Sequence, residues 1–223
     1  MKVIGHVECL FNEKFGLPRQ SGLVNEIKAR IIFEPEFRTW DAFKGIEEYS
    51  HIWILWNFSE SKKDNWSATV KPPRLGGNQR MGVFATRSPF RPNPIGMSCV
   101  KLEKAVYDEK LGTILYIQGS DMMNGTPVYD IKPYIPYTDS HPEAVGGFAD
   151  KVFEHKLSVE ISKELQMKLS EDELIVIIKI IEQDPRPSYI NDEKRLYGVT
   201  YGNKNVKFKV KETLATIAEI EEV

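Results

Sequence analysis

The sequence predicts a mainly β protein built on an antiparallel β-barrel or sandwich, followed by a small α+β unit. About seven segments show the alternation or the short apolar runs that are typical of strands. Almost no helical periodicity separates the strands of the first part of the chain, whereas a βαβ fold requires a helix between successive strands. In addition, no Gly-x-Gly-x-x-Gly follows a strand, which argues against a Rossmann fold.

The first strands are predicted from alternation and from one long apolar run. Residues 2–9 and 26–34 have strand character, and residues 37–45 predict a short helical connection. Residues 50–58 are apolar on both faces, so they predict a central strand that is buried on both sides. Inside this strand, His51 is expected to be a buried, satisfied histidine rather than a proton shuttle.

Three further strands are predicted at 81–87, 96–107 and 112–119. A turn that contains Gly112 joins the last two. Together with the earlier strands they complete the antiparallel sheet.

A domain boundary is predicted near residue 147, where two glycines follow a proline-rich run. It divides the chain into residues 1–147, the barrel and cofactor-binding domain, and residues 148–223, an α+β subdomain. A strand is expected near 155–160 at the start of this second unit.

Local signals in the second unit predict a helix and a hairpin. Ser170 and Glu173 form a capping-box pattern ahead of an apolar run, which predicts a helix over residues 171–183. The segments 197–201 and 206–210 flank Gly-Asn-Lys-Asn, a pattern that indicates a β-hairpin.

The formal net charge of −2 hides a local basic stretch. Residues 62–101 contain eight basic residues and one acid, a local charge of +7, so the remainder carries −9. Such a balance disfavours a general nucleic-acid coat protein, but the basic stretch suits a specific polyanion.

Several functional classes are disfavoured by what the sequence lacks. The longest apolar run is far too short to span a membrane, and the N-terminus enters a strand pattern at once, so we expect a cytoplasmic protein with no membrane partner. Cys9 and Cys99 are expected to be core thiols, and the four histidines show no metal-ligand spacing, so no metal is expected. Signatures of P-loop NTPases, α/β-hydrolases and zinc proteases are missing.

Three polar loops on the predicted sheet are candidates for one shared site. In the segment 76–96, each of Ser88, Arg91 and Asn93 precedes a proline, which restricts its backbone. Arginines in such a stiff loop lose little entropy on binding and can hold a carboxylate, a phosphate or a planar base. Residues 16–20 form a second stiffened, arginine-bearing loop, and residues 120–128 form a third. Loops on a rigid scaffold carry binding sites disproportionately.

These loops resemble a known family. Pro18-Arg19-Gln20, residues 72–78, residues 84–97, residues 121–133 and residues 183–189 are similar to the TsaA-like (TrmO) family of tRNA methyltransferases. The resemblance implies a β-barrel methyltransferase without a Rossmann fold that works as a homodimer. It also implies that S-adenosyl-L-methionine is the cofactor and that the exocyclic nitrogen of threonylcarbamoyl-adenosine, next to the anticodon in the tRNA anticodon loop, is the methyl acceptor.

The resemblance also implies roles for individual residues. In this family a polar pair that often contains histidine follows the long apolar strand, and here Ser59 and Glu60 take that place. The residues expected to bind the cofactor are Pro18, Arg19, Gln20, Ser59, Glu60, Arg87, Met97, Asp121, Met122, Met123 and Asn124.

For catalysis, methyl transfer from a sulfonium needs alignment above all, together with an acceptor for the proton of the urea-like nitrogen. Asp121, Asn93 and the carboxylate of the substrate itself are the candidate acceptors, and the sequence does not choose among them. The residues expected to bind the substrate are Arg80, Arg91, Arg186 and Tyr189, with Phe90 and Tyr189 as possible stacking platforms.

Two other functions remain open at the level of sequence. The same arginine loops would serve a non-catalytic β-barrel module that binds an anionic ligand or an RNA loop. A methyltransferase of the same family acting on a different small substrate is the other alternative.

Overall fold

The computed structural model describes residues 1–61, 65–75, 79–150, 155–187 and 192–223. Six antiparallel strands close into a barrel in the order β1-β2-β7-β6-β3-β8, and a separate four-stranded sheet has the order β10-β11-β12-β9. The strands are β1 Gly5–Cys9, β2 Lys28–Phe33, β3 His51–Asn57, β4 Thr69–Val70, β5 Met81–Gly82, β6 Ile95–Asp108, β7 Gly112–Gln118, β8 Pro127–Pro133, β9 Ser158–Glu160, β10 Tyr197–Tyr201, β11 Lys204–Lys211 and β12 Leu214–Glu222. The α-helices are α1 Pro136–Asp139, α2 Lys163–Gln166 and α3 Glu171–Glu182.

The predicted barrel is confirmed, but β3 is buried differently from the prediction. Ile52, Ile54 and Trp56 point into the barrel core, whereas the residues between them are only half-buried. A closed barrel has a single interior, so a strand in it buries alternate residues even when both faces are apolar. The expectation that His51 is buried is therefore wrong: it is half-buried, and its Nδ1 lies 2.9 Å from the hydroxyl of Ser50.

Two segments of the barrel domain differ from the predicted strands. In the segment 81–87, only Met81–Gly82 pairs as a strand, with Thr69–Val70. The chain then forms a 3-10 turn over Val83–Ala85, closed by the hydroxyl of Thr86, which donates to the carbonyl of Val83 at 2.8 Å. Strand β8, which closes the barrel between β1 and β3, was not predicted because prolines stand at both of its ends.

The hairpin of β6 and β7 agrees with the sequence. Its pairs run from Lys101 with Gln118 to Asp108 with Gly112, with a register shift between Leu102 and Lys104. Gly112 has a φ of +71°, a conformation that favours glycine. The predicted connection at 37–45 consists of short 3-10 turns, at Pro35–Phe37, Trp40–Phe43 and Ile46–Glu48.

The local signals of the second unit are confirmed. The hydroxyl of Ser170 accepts from the backbone N–H of Glu173 at 3.3 Å, and the Glu173 carboxylate accepts from the N–H of Ser170 at 2.8 Å, which completes the capping box of α3. The hairpin of β10 and β11 turns at Gly202, with Tyr201 paired to Lys204.

A second hydrophobic core joins the two parts of the chain. Helix α3 packs Ile177 and Ile180 against the sheet of β9 to β12, and Phe11, Val24 and Ile27 from the loop between β1 and β2 enter the same core. This loop also lies close against β10: a Cβ at Gly16, whose φ is +90°, would stand 2.6 Å from a methyl of Val199. The boundary at residue 147 stays a prediction, since residues on both sides of it share this core.

Both cysteines are free thiols and are half-buried rather than fully buried. Burial raises the pKa of Cys9 to about 11, which keeps this thiol protonated and unreactive. Within the described residues, no helix is long and apolar enough to cross a membrane.

Candidate active site

A cleft of about 850 Å³ gathers the three polar loops at one end of the barrel. The loop between β1 and β2, the end of β3, the segment before β6 and the segment before β8 all contribute to it. The predicted site residues that line it are Pro18, Arg19, Gln20, Ser59, Glu60, Arg87, Arg91, Asn93, Met97, Asp121 and Met123.

Four predicted site residues do not line this cleft. Met122 is buried in the barrel core, and Asn124 bonds through its side chain to Asn12 at 3.2 Å and to the N–H of Cys9 at 3.3 Å. Arg80 donates from Nε to the hydroxyl of Thr69 at 2.7 Å, on the ribbon formed by β4 and β5. Arg186 is held by two hydrogen bonds to the carboxylate of Asp184. Tyr189 lies outside the described residues.

The alternating burial of residues 121–123 explains the position of Met122. Asp121 and Met123 are half-buried and line the cleft, whereas Met122 between them is fully buried. A contact between the Met122 side chain and a ligand in the cleft is therefore not supported.

A side-chain hydrogen bond joins the first and second loops across the cleft. The guanidinium of Arg87 donates to the side-chain oxygen of Gln20, and the amide nitrogen of Gln20 donates to the carbonyl of Arg19. The residues predicted to hold one cofactor from two distant parts of the sequence thus stand next to each other.

Hydrogen bonds within the proline-rich loop brace its shape. The N–H of Ser88 donates to the Thr86 hydroxyl at 3.2 Å, and the N–H of Phe90 donates to the Ser88 hydroxyl at 3.2 Å. Arg91 donates from its guanidinium to the carbonyl of Thr86 at 3.2 Å and from its N–H to that of Pro89 at 2.9 Å. Because these bonds add to the restrictions of the prolines, the arginines are presented with little conformational freedom left to lose.

Asp121 stands at the floor of the cleft with a hydroxyl partner. Ser98 on β6 donates to its Oδ1 at 2.6 Å. Burial raises the pKa of Asp121. This effect is opposed by the hydrogen bond from Ser98, by the backbone N–H groups of Asp121 and Ser21, and by the charge of Arg87. Burial outweighs them, so the pKa stays above its usual range. A carboxylate with a raised pKa in a cleft has the properties expected of a general base.

Arg19 connects the cleft to the second unit. Its Nη2 donates to the carbonyl oxygens of Asp184 and Arg186, at 3.3 Å in each case. The segment that follows α3 therefore supports the cleft loop from outside the barrel.

Asp184 organises this segment. Its carboxylate accepts two bonds from Arg186, at 2.7 and 2.9 Å, and one contact from His155 Nε2 at 2.8 Å. Burial raises the pKa of Asp184, but the bonds from Arg186 and His155 outweigh it and hold the pKa below its usual range. The side chain of Arg186 is only 10% exposed, so its guanidinium serves this internal pair rather than an open substrate site.

Sequence reasoning missed several residues of the cleft. Trp56, Asn57 and Lys71 line it, and Lys14 donates from its amine to the backbone carbonyl of Glu60. Gly96 in β6 was the sequence feature that could have indicated Trp56, because a glycine inside a strand often marks the close approach of another group. An exposed aromatic pair was also missed: Trp66 precedes β4, Phe84 follows β5, and their rings stack with centroids 6.1 Å apart.

Two family models match the chain in tandem, the tRNA-methyltransferase O N-terminal domain over residues 6–140 and the TrmO C-terminal domain over residues 154–223. The chain belongs to the tRNA-methyltransferase O family. This confirms the resemblance that the loop motifs indicated.

Relatives match this chain over most of its length. A tRNA (adenine(37)-N6)-methyltransferase of Escherichia coli (strain K12) is 40% identical over 215 residues, which cover 93% of this chain and 91% of the relative. Another, of Eikenella corrodens, is 41% identical over 173 residues, 77% of this chain and 97% of the relative. A relative of Pseudomonas aeruginosa carries the name of an S-adenosylmethionine-dependent methyltransferase. It is 39% identical, and the match covers 88% of this chain and 86% of the relative.

Solved structures agree with the fold. A crystal structure of TrmO from Pseudomonas aeruginosa has a TM-score of 0.78 with 31% sequence identity, and the match covers 99% of this chain and 98% of that chain. The mainly β barrel of this member of the tRNA-methyltransferase O family is thus the fold of its relatives.

Proposed function

We propose that this protein is an S-adenosylmethionine-dependent tRNA methyltransferase that modifies the exocyclic N6 of the adenine at position 37, beside the anticodon. We further propose that this adenine already carries a threonylcarbamoyl group. The observation that carries the proposal is the single cleft in which Arg19, Gln20, Arg87 and Asp121 meet, in a chain whose relatives carry the name of this activity.

The cleft fits S-adenosylmethionine in size and chemistry. Its volume of about 850 Å³ leaves room for a cofactor and a flipped base, since small-molecule sites usually measure about 300–1,000 Å³. Arg87 offers a positive charge to the carboxylate of the zwitterionic amino-acid end. The buried Oδ1 of Asn57, a cleft residue, has no hydrogen-bond partner in the described part of the chain, and buried acceptors of this kind are normally satisfied.

Each part of the cleft has a proposed task. When bound, the cofactor supplies a methyl group that is already activated by its positive sulfur. Arg87, steadied by Gln20, binds the carboxylate end, and Pro18, Arg19, Met97 and the backbone near Met123 shape the rest of the pocket. Because the leaving group is already activated, the protein contributes mainly by alignment and by accepting a proton.

Basic and aromatic side chains are proposed to bind the tRNA substrate. Arg91 lines the cleft and is proposed to hold the threonyl carboxylate or a nearby phosphate. The stacked pair of Trp66 and Phe84, with Arg80 on the same ribbon, is proposed to receive unstacked bases of the anticodon loop. Exposed aromatic rings and guanidinium planes are the groups on which looped-out RNA bases stack.

The assembly and the second unit are proposed by the same reasoning. We propose a homodimer in which residues 148–223 lie near the tRNA. Light scattering of the purified protein tests the dimer, and protection of residues in the second unit from hydrogen exchange by added tRNA tests the contact.

The central experiment combines the purified protein, S-adenosylmethionine with a labelled methyl group, and tRNA from cells that lack this enzyme. Mass analysis of the nucleosides should show one added methyl on threonylcarbamoyl-adenosine and none on tRNA that lacks this modification. Methylation of unmodified adenine instead would overturn the substrate assignment. Binding of S-adenosylmethionine no tighter than of its demethylated product, without any methyl transfer, would favour a binding module.

A pair of arginine variants tests the proposed cofactor contact. Arg87→Ala should weaken the affinity for S-adenosylmethionine by at least about tenfold, as expected when a charge-assisted bond is lost. Arg80→Ala is the matched control, because its guanidinium bonds to Thr69 outside the cleft, and it should leave this affinity unchanged. Equal effects of the two variants by calorimetry would contradict the assignment of Arg87.

A further inference from the structure

A directed hydrogen-bond chain leads through the barrel wall to Asp121. The indole N–H of Trp56 donates to the hydroxyl oxygen of Ser98 at 2.9 Å, and Ser98 donates to Oδ1 of Asp121 at 2.6 Å. An indole nitrogen can only donate, so the Ser98 oxygen must accept from it. The one hydroxyl proton of Ser98 is therefore committed to the carboxylate of Asp121.

The strand register and one glycine make this chain possible. Trp56 on β3 pairs with Gly96 on β6, and Ser98 stands two residues further along β6. A Cβ at Gly96 would overlap the indole of Trp56, so the absence of a side chain lets the ring lie across β6 and reach Ser98. Phe58 packs against the indole with ring centroids 4.2 Å apart. The geometry of the pair is thus fixed by packing as well as by the bond.

Burial shields the chain from water. Ser98 is 1% exposed and Trp56 is 7% exposed. In such a site a hydrogen bond to a charged group is stronger than in water, and an unpaired polar group is costly. Ser98 therefore holds Asp121 in one orientation and stabilises its ionised form.

We propose that Ser98 and Trp56 are positioning residues for methyl transfer, and that through them Asp121 is oriented to accept the proton of the substrate N6. This inference rests on the proposed function. A carboxylate has about four acceptor sites, and the bond from Ser98 occupies one of them. A lone pair is therefore free for the substrate.

The proposed step balances without a further reactant. The N6 nitrogen forms a bond to the methyl carbon while the bond from that carbon to sulfur breaks, and its electron pair stays on the sulfur. The proton of N6 moves to the free lone pair of Asp121. The products are the N6-methylated base, the neutral thioether and a protonated Asp121 that returns its proton to solvent.

The surroundings of Asp121 set the pH range of this step. Arg87, on the proline-rich loop, is the cation whose charge acts on it, whereas β3 and β6 present the uncharged Trp56 and Ser98. The other charged groups that line the cleft are Lys14, Arg19, Glu60, Lys71 and Arg91. The bond from Ser98 lowers the pKa of Asp121 against the effect of burial, so its loss must raise this pKa further.

The test compares the pH dependence of single-turnover methylation in wild type, Ser98→Ala and Trp56→Phe. Ser98→Ala should move the acid limb of the pH–rate profile to higher pH. On that limb the reaction should be about tenfold slower than in wild type, which is the factor that corresponds to a shift of one pH unit. Trp56→Phe keeps an aromatic ring but frees the Ser98 hydroxyl, so its shift should be smaller. The affinity for S-adenosylmethionine should stay within about twofold of wild type in Ser98→Ala, because Ser98 is not among the residues that line the cleft.

Trp53→Phe is the matched control. Trp53 lies on the same strand, and its indole donates to Asp139 at 2.9 Å rather than to a cleft residue. This variant should keep the wild-type pH profile. Circular dichroism and thermal melting establish that each variant is folded, and Trp56→Phe carries the test if Ser98→Ala does not fold.

The outcomes separate this inference from the proposed function. If Ser98→Ala folds and its acid limb is unchanged, the positioning role is overturned. If Ser98→Ala does not fold, an unchanged acid limb in Trp56→Phe overturns it. An equal shift of the limb in Trp53→Phe overturns it as well. A loss of cofactor affinity without any shift of the limb would make Asp121 a cofactor ligand and not the proton acceptor. Wild-type protein that transfers no methyl group to tRNA would instead overturn the proposed function itself.

Discussion

Two aspartates, Asp121 and Asp184, both lie near the loop between β1 and β2 but have opposite electrostatic environments. Asp121, in the cleft of the barrel, has a serine and backbone groups as direct partners, and burial raises its pKa. Asp184, in the second unit, has Arg186 and His155, and these partners overcome the effect of burial and lower its pKa. The comparison teaches that direct cationic partners make a buried carboxylate structural, whereas their replacement by a hydroxyl leaves it able to take up a proton.

The two aspartates should therefore contribute to stability with opposite dependence on pH. The lowered pKa of Asp184 means that its ionised carboxylate stabilises the fold at any pH above its unfolded-state pKa of about 3.9. This contribution is lost as the pH falls further, through the lower folded-state pKa. The raised pKa of Asp121 acts in the reverse direction: its contribution is present below about pH 3.9 and is lost as the pH rises through the folded-state value.

The largest expected effect is on catalysis by Asp121→Asn. The amide has the same shape but cannot accept the proton of N6, so the single-turnover rate should fall by about 10²–10⁴-fold. Stability at neutral pH should be unchanged or higher, because a partly desolvated charge is removed. A rate within about threefold of wild type, with the fold intact by circular dichroism, would mean that Asp121 is not the proton acceptor.

Asp184→Asn should show the reverse pattern, a loss of stability with a smaller effect on chemistry. It leaves Arg186 without its counter-charge, so the free energy of unfolding should fall by about 3 kcal/mol. Asparagine tolerates the φ of +47° at this position, so the backbone itself is not strained. Urea denaturation at neutral pH measures the change.

The matched control for Asp184→Asn is Asp41→Asn. The carboxylate of Asp41 pairs with Lys44 at 2.8 Å and is 76% exposed. Such surface pairs contribute little, so this variant should stay within about 1 kcal/mol of wild type. Similar losses in the two variants would contradict the structural role of Asp184.

Gly96→Ala should have an intermediate effect at the Asp121 site. The added methyl group overlaps the indole of Trp56, and the strain should lower the free energy of unfolding by about 1–3 kcal/mol. It should also separate Trp56 from Ser98 and so reproduce part of the pH shift of Trp56→Phe. Gly82→Ala is the control, since nothing lies within 4 Å of a Cβ built there. An effect of Gly82→Ala as large as that of Gly96→Ala would argue against this steric explanation.

The smallest expected effect is that of His155→Ala at the Asp184 site. His155 contacts Asp184 at 2.8 Å, but its side chain is 51% exposed, so water replaces it readily. The free energy of unfolding should fall by less than about 1 kcal/mol. A loss comparable to that of Asp184→Asn would show that the histidine, and not Arg186, is the main partner of this carboxylate.

The local features of the fold could be predicted because their causes are adjacent in sequence. The capping box of Ser170 and Glu173 and the turn at Gly112 depend on a few neighbouring residues, and both are confirmed. The strand β8 could not be predicted, because its pairing with β1 and β3 stabilises a segment whose terminal prolines suggest a loop.

The candidate site was predictable in part. The motifs identified the family and most of the cleft residues, including Arg87 and Asp121. Arg186 resembles Arg91 in sequence because each stands beside prolines, yet one is paired internally with Asp184 and the other lines the cleft. The sequence pattern is the same in both cases, so only burial and partners distinguish them.

By itself, the sequence determined the strands with clear alternation, the capped helix, the stiff arginine loops and the family to which they belong. Only the tertiary structure decided that Trp56, Gly96, Ser98 and Asp121 form one unit, and that Asp121 and Asp184 differ in their affinity for a proton. The physical reason is that local backbone preferences act over a few residues, whereas desolvation and hydrogen bonding depend on which distant groups the barrel register brings within 3 Å.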